Sequence, residues 1–348
     1  MTLRQTLVAL AALATATIAL AQQDGPAVPT IHIGTMDFTA GTLSVPETGS
    51  SKAVAGFSPL WNADGTRLVY LSRRDAAGAI RTTLNVESSG TYREVISDVT
   101  IGGAMSATLD PHLVLVEGTN KDAESGVFQI DLLTGKSMMI AAKGRASFVS
   151  GDGRYLYFFR GEAAHHELVE YDLSTRRERP LVKYEHAPEI PESAYVSPNR
   201  TRVYYRMPDA GAKTPEPESH IVERDLASGH ERTLLSGRLG HLRPSPSGRY
   251  AVVRQNDPSG KWVAMRLLPL VDDRPVTDLM RAEGNAALFF SFWSPDSRSV
   301  ILQMPDNGRP TNWWVPLDGK PQKALSRFVG SAAVHPNGKT IAFAGNDK

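Results

Sequence analysis

The chain has 348 residues, no cysteine, and 38 basic against 37 acidic side chains. That length can bury a core large enough to need no covalent staples. The missing cysteines exclude a disulfide framework, a thiolate nucleophile and a Cys-ligated zinc, and the balanced charge excludes the basic excess with which proteins grip nucleic-acid phosphates.

The first 21 residues, "MTLRQTLVALAALATATIALA", carry one Arg, an apolar run from Thr6 to Leu20, and Ala19-Leu20-Ala21 before Gln22. A short basic region, a short apolar region and an A-x-A site are the signature of a secretory signal peptide. The run is shorter than the roughly 20 residues a membrane span needs. Cleavage after Ala21 is expected, with the mature chain periplasmic or secreted and carrying no membrane span. Removal takes away Arg4 and no acid, leaving 37 acidic residues matched by an equal number of basic ones. Residues 22–29 read as a linker and 30–348 as a single domain.

Within that domain one phrase recurs. "TIHIGTMDFTAGTLSV" (30–45) reads as two strands around a turn. Six units follow: "LWNADGTRLVYL" (60–71), "FVSGDGRYLYFF" (148–159), "YVSPNRTRVYYR" (195–206), "RPSPSGRYAVVR" (243–254), "FWSPDSRSVILQ" (292–303) and "AVHPNGKTIAFA" (333–344). The third turn position falls at Gly65, Gly153, Arg200, Gly248, Ser297 and Gly338. Neighbouring positions are 41 to 49 residues apart, except for the 88 between Gly65 and Gly153, where a degenerate copy, "SATLDPHLVLVE" (106–117), fills the gap. Each turn precedes a β-branched or aromatic strand. Second hairpins follow in "VFQIDLLTGKSMMI", "LVEYDLSTRRERPLV", "IVERDLASGHERTLL" and "WWVPLDGKPQKAL".

A module of four strands repeated at about 45 residues is one blade of a β-propeller, and no long 3.6-spaced apolar pattern argues for helical repeats. The expected fold is all-β: a seven-bladed β-propeller of four-stranded antiparallel blades. The last unit reaches Lys348 after two strands, so residues 30–45 supply its other half. Pairing of the N-terminal with the C-terminal strands then closes the ring and removes open sheet edges.

"FWSPDSRSVIL", "VSPNRTRVYY" and "HPNGKTIAF" resemble the WD-like repeats of TolB-type propellers, in which a "WSPDG" turn precedes a short apolar strand. The resemblance spans about residues 30–348. TolB carries an additional N-terminal domain and a six-bladed propeller, so the likeness is to a TolB-like protein. It implies an envelope protein that docks partners and performs no chemistry.

The Asp-Gly turns supply the positive φ and side-chain acceptors a hairpin needs, and they lack the several acids per loop that calcium requires. Trp61 and Trp293 share a repeat slot held elsewhere by Val149, Val196, Pro244 and Val334, which predicts packing between blades. Neither a G-x-S-x-G elbow nor a P-loop is present, and no catalytic residue is assigned.

Long loops opposite the turns are a different matter. "GEAAHHE" (161–167), "YEHAPEIPE" (184–192) and "AKTPEPESH" (212–220) bring His165, His166, His186 and His220 to one side of the ring, with Glu162, Glu167, Glu185 and Glu189, and His241 opens the next blade. Three imidazoles and a carboxylate suit a divalent metal, and propeller lyases acting on acidic sugars use such clusters. Solvated loops with incidental His are the plainer reading, since no fixed ligand spacing is present. Two functions follow. The first is an exported non-catalytic scaffold, monomeric and without cofactor, binding an envelope protein or glycan through Glu162, Glu167, Glu185, Glu189 and His241. The alternative is a metal-assisted lyase or hydrolase acting on a saccharide or lactone, with His165, His166, His186 and His220 as ligands.

Overall fold

The structure is a computed structural model that describes residues 30–45, 54–76, 79–162, 165–185, 194–209, 218–284, 286–325 and 330–345. The signal segment 1–21 and the linker 22–29 lie outside the described residues. All regular structure among the described residues is β, and no helix is long and apolar enough to cross a membrane.

Every one of the six turns has its third residue in the left-handed region, from Gly65 at φ 72° to the non-glycine Arg200 at 57° and Ser297 at 59°. The N–H of that residue donates to the carbonyl three positions back, as Gly65 does to Asn62 at 3.0 Å and Arg200 to Ser197 at 2.8 Å. These turns fold the chain into antiparallel sheets whose strands lie in chain order. One sheet holds Phe57–Trp61, Leu68–Ala76, Ala79–Ser88 and Thr91–Val95. The next holds Val99–Ala107, Leu113–Asn120, Ser125–Asp131 and Ser137–Ala142, followed by Arg145–Val149, Tyr155–Glu162, His165–Asp172 and Arg177–Glu185.

An eight-stranded sheet comes after these. Its halves are Ala194–Val196, Arg202–Pro208, Glu218–Asp225 and Glu231–Leu239, then Arg243–Pro244, Tyr250–Asn256, Trp262–Pro269 and Thr277–Glu283. In strand pairing the halves are joined by Arg238↔Asn256 and Leu239↔Gln255. Phe289–Trp293, Ser299–Asp306, Arg309–Pro316 and Lys323–Leu325 form a further four-stranded sheet.

The two ends of the chain share the remaining sheet. Thr30–Asp37 lies between Thr42–Ser44 and Thr340–Gly345, in a register running from Thr30↔Gly345 to Thr35↔Thr340, and Ala332–Val334 completes the row. Val54–Ala55 pairs with the start of Thr30–Asp37. The N-terminal hairpin repeats the chemistry of the second hairpins elsewhere. Asp37 accepts from the N–H groups of Thr39 and Ala40 at 2.8 and 3.0 Å. Asp131 does the same for Leu133 and Thr134 at 2.8 and 2.9 Å, and Asp225 for Ala227 and Ser228 at 3.1 and 2.8 Å. Trp314 Nε1 fastens this hairpin by donating to the Phe38 carbonyl at 3.0 Å.

Packing explains why the strands read as apolar runs. On "YLYFF", Leu156 and Phe158 join a core with Leu115 and Val127 of the preceding sheet, while Tyr157 and Phe159 join Val203 and Tyr205 of the following one. Successive side chains point to opposite faces, so a sheet buried on both faces needs apolar residues throughout. The pattern continues along the chain. Val69 and Leu84 meet Val114 and Phe128, Tyr204 and Ile221 meet Val253 and Leu268, and Val252 and Met265 meet Val300 and Leu302. Ile301 and Trp314 then meet Met36 and Phe343, and Ile31 and Ala342 meet Leu68 and Tyr70. Each fully buried side chain of this kind stabilises by roughly 1.5–3 kcal/mol.

The turns lock onto one another as well. His335 Nε2 lies 3.0 Å from the Gly65 carbonyl, and its ring stands edge-on to Trp61 at 4.7 Å. Asn62 Nδ2 donates to the Pro111 carbonyl at 3.1 Å, and Ser247 N donates to Ser297 Oγ at 2.9 Å. Trp293 is buried and gives its Nε1 proton to the Arg243 carbonyl at 3.0 Å. Both Trp61 and Trp293 thus bridge neighbouring sheets.

Candidate functional site

Strand order puts the first–second and third–fourth turns of every sheet at one end, and the remaining connections at the other. At that second end the hairpin joining Tyr155–Glu162 to His165–Asp172 aligns Glu162 with His165 and Gly161 with His166, while His165 lies opposite Glu185 and His166 opposite Tyr184. Loop residues in the sequence reading, His165 and His166 are strand residues in the structure. Two consecutive strand positions face opposite ways. His165 is exposed, and His166 is 6% exposed.

Arg160, His165, His166, Glu167, Lys183 and Tyr184 line a cavity of about 260 Å³ at this corner. Glu167 accepts from Arg160 Nε and Nη2 at 3.0 and 2.7 Å, while Arg160 Nη1 reaches Glu178 at 2.8 Å. The Glu167 carboxylate is therefore the partner of a guanidinium. Burial raises the Tyr184 phenol well above its ordinary range, so it stays protonated.

His220 stands apart from this corner in its bonding, with Nδ1 2.8 Å from Ser236 Oγ and Nε2 2.9 Å from Asp209 Oδ1. Both of its nitrogens are engaged. His186 and Glu189 lie outside the described residues. Among the described residues no three His, Asp or Glu side chains gather closely enough to hold a metal ion.

His241 lies just before Arg243–Pro244. Its pKa is pushed down to about 4, first by burial and then by the charges of Arg243 and Arg206. Yet more than a third of its surface is open to solvent.

Two buried carboxylates escaped the sequence reading. Glu170 is 4% exposed and accepts from Arg200 Nε at 2.9 Å, Arg179 Nη2 at 3.0 Å and the Tyr157 hydroxyl at 3.2 Å. Glu223, 7% exposed, takes Arg232 Nε at 2.8 Å and Arg202 Nη1 at 3.3 Å. Arg200 also lies 4.0 Å above the Tyr155 ring, tying the 145–185 sheet to the next. Charges 30 residues apart leave no local pattern, although Arg at a turn position that favours glycine is an anomaly a reader can notice.

No protein-family model and no curated protein sequence matches the chain. Solved structures do. TolB from Acinetobacter baumannii superposes with a TM-score of 0.50 at 17% identity, over 81% of this chain and 64% of that one. The chain therefore spans less than two thirds of that TolB. The β-propeller domain of the Trilobed protease from Pyrococcus furiosus gives 0.57 at 14% identity, covering 80% and 85% of the two chains. Its fold is that of a TolB-like β-propeller. An oligogalacturonate lyase from Vibrio parahaemolyticus superposes on the same propeller with a TM-score of 0.55 at 12% identity, covering 82% of this chain and 78% of the lyase. At such identities the likeness establishes the fold of this TolB-like propeller and leaves its activity to the site.

Proposed function

We propose that the chain is an exported, non-catalytic seven-bladed propeller that binds a protein or glycan partner in the cell envelope through the end opposite its turns. The seven-blade reading treats the eight-stranded sheet as two blades touching at two residue pairs. It treats the sheet of the chain ends as the blade that closes the ring. Seven apolar clusters, each spanning neighbouring sheets, support that count. Export rests on the "MTLRQTLVALAALATATIALA" segment and its A-x-A site.

The observation that carries the binding reading is the contrast between the two ends. Turn residues are spent on one another, as His335 is on Gly65 and Ser247 on Ser297. The opposite end keeps the cavity beside His165 and Lys183, with both of those residues exposed. A partner retained from an envelope extract by the wild-type protein and lost by H165E/K183E supports the face. Equal retention by both contradicts it.

The metal-assisted alternative draws on His165 and His166 lining one cavity. Metal analysis of the purified protein separates the readings: a stoichiometric transition metal favours the lyase or hydrolase, and its absence after purification in metal-supplemented buffer favours the binder.

A further inference from the structure

Three side chains from neighbouring strands form a hydrogen-bonded row that the docking reading does not use. Asp209 follows Arg202–Pro208 and stays in register with the next strand, its N–H donating to the Glu218 carbonyl at 2.9 Å. His220 lies on that next strand, opposite Met207, and Ser236 lies on the one after, opposite His220. The imidazole joins the other two, with Nε2 2.9 Å from Asp209 Oδ1 and Nδ1 2.8 Å from Ser236 Oγ.

Register fixes this row. Cross-strand partners share a face of the sheet, so His220 and Ser236 project from the face that carries Met207 and, two positions earlier, Tyr205. That face is turned to the preceding sheet, where Tyr184 meets Tyr205 edge-on at 5.2 Å. Asp209 and Ser236 are exposed and the His220 side chain is 41% open, so small solutes reach all three.

The chemistry follows from what each atom can do. An ionised carboxylate only accepts, so Asp209 holds the ring proton on Nε2. The neutral ring then presents a lone pair at Nδ1, and the Ser236 O–H donates to it. A hydroxyl aimed at an imidazole lone pair, with a carboxylate fixing the tautomer from behind, is the arrangement that makes serine a nucleophile. Other hydroxyls on these sheets lack the base: Ser72 pairs with Thr83 and Ser125 with Thr119, each oxygen to oxygen. Arg238 shares the strand and face of Ser236, two positions on. It approaches Glu218 only to 3.7 Å, outside hydrogen-bond range, and so keeps donors for an oxyanion formed beside Ser236.

We propose that Ser236 is an acyl acceptor for activated carboxylic esters, with His220 as its general base and Asp209 orienting the ring. Ser236 Oγ attacks the carbonyl carbon while its proton passes to His220 Nδ1. The bond from that carbon to the leaving oxygen then breaks, and the imidazolium returns the proton to the departing group. The products are an acyl-Ser236 ester and one alcohol or phenol, with nothing oxidised or reduced. A single acylation per chain is a covalent modification and needs no turnover, so the proposal goes beyond the docking reading and does not rest on it.

The test is incubation of the mature chain with p-nitrophenyl acetate, read by nitrophenol release, intact mass and peptide mapping. An acetyl group on Ser236 is expected, matched by the nitrophenol released. Ser125, also exposed but hydrogen-bonded to a hydroxyl, is the internal control and should stay unlabelled. S236A should lose the adduct, and H220A should form it roughly tenfold more slowly or worse. D209N should be slowed too, and D209E should recover part of the rate, which a merely structural role for the carboxylate does not require. Acetyl groups confined to amines, equal labelling of Ser125 and Ser236, or an undiminished rate in H220A overturns the proposal. Nitrophenol beyond one equivalent per chain, lost in S236A, supports the same nucleophile and removes the non-catalytic part of the docking reading.

Discussion

Replacing Gly65 by Ala tests whether the turn end is locked across the junction of the chain's first complete sheet and the sheet of its two ends. Gly65 has φ 72°, and an added Cβ would stand 2.3 Å from His335 Nε2 and 2.4 Å from Cε1. The left-handed backbone alone costs a non-glycine residue about 1 kcal/mol. Displacing the imidazole also loses the 3.0 Å contact with the Gly65 carbonyl and the edge-on contact with Trp61. Those interactions are worth about 1 kcal/mol each, so Gly65→Ala should cost about 3 kcal/mol. Gly319 provides the control, with φ 80° and nothing within 4 Å of its added Cβ. Gly319→Ala should therefore cost only the backbone term of about 1 kcal/mol. Urea denaturation measures both, and His335→Ala completes a cycle in which the Gly65→Ala penalty shrinks toward the control value. Equal costs for the two alanines, or a penalty undiminished without His335, refute the reasoning.

Glu170→Ala leaves Arg200, Arg179 and the Tyr157 hydroxyl without their shared acceptor and should destabilise by about 3–5 kcal/mol, whereas Glu170→Leu/Arg200→Met should cost less than the sum of its single changes. Chemical denaturation of the set checks both statements. His241 is held near 4 when folded, against 6.5 as its ordinary value. Between those limits the unfolded chain binds a proton that the folded chain does not, so the contribution of the neutral ring is complete above pH 6.5 and lost as pH falls toward 4. Because the ring is more than a third open to solvent, that contribution is discounted to about 1 kcal/mol. Urea midpoints of wild type and His241→Asn should converge as pH drops through this window, and parallel curves contradict the linkage.

Legibility in the sequence followed physical range. Turn chemistry is local, and all six predicted third positions, including Arg200 and Ser297, have positive φ. The strand Thr30–Asp37 was readable from its alternation and from the half-unit before Lys348. A stronger signal was present in "MDFTAG", which repeats the Asp turn of "IDLLTG" and "RDLASG". What failed to show was everything decided by approach of distant strands. His165 and His166 read as loop residues, and only the strand pairing shows them to be consecutive strand positions, one exposed and one buried. The Glu170–Arg200 and Glu223–Arg232 pairs depend on register and on how one sheet packs against the next. Arg206 and Arg243, whose charges act on His241, come from two separate strands.

The proposed closed seven-bladed ring depends on the chain's two ends sharing one sheet. Thr35 and Thr340 are directly paired there, with Cα atoms at the antiparallel spacing of roughly 4.5–5.5 Å that a disulfide accepts. The natural chain has no cysteine, so Thr35→Cys/Thr340→Cys introduces the only two thiols. Mild oxidation followed by non-reducing electrophoresis and peptide mapping should reveal one intramolecular bond and a raised urea midpoint. Thiols that stay free in the folded protein, or that link separate molecules, would contradict the shared sheet.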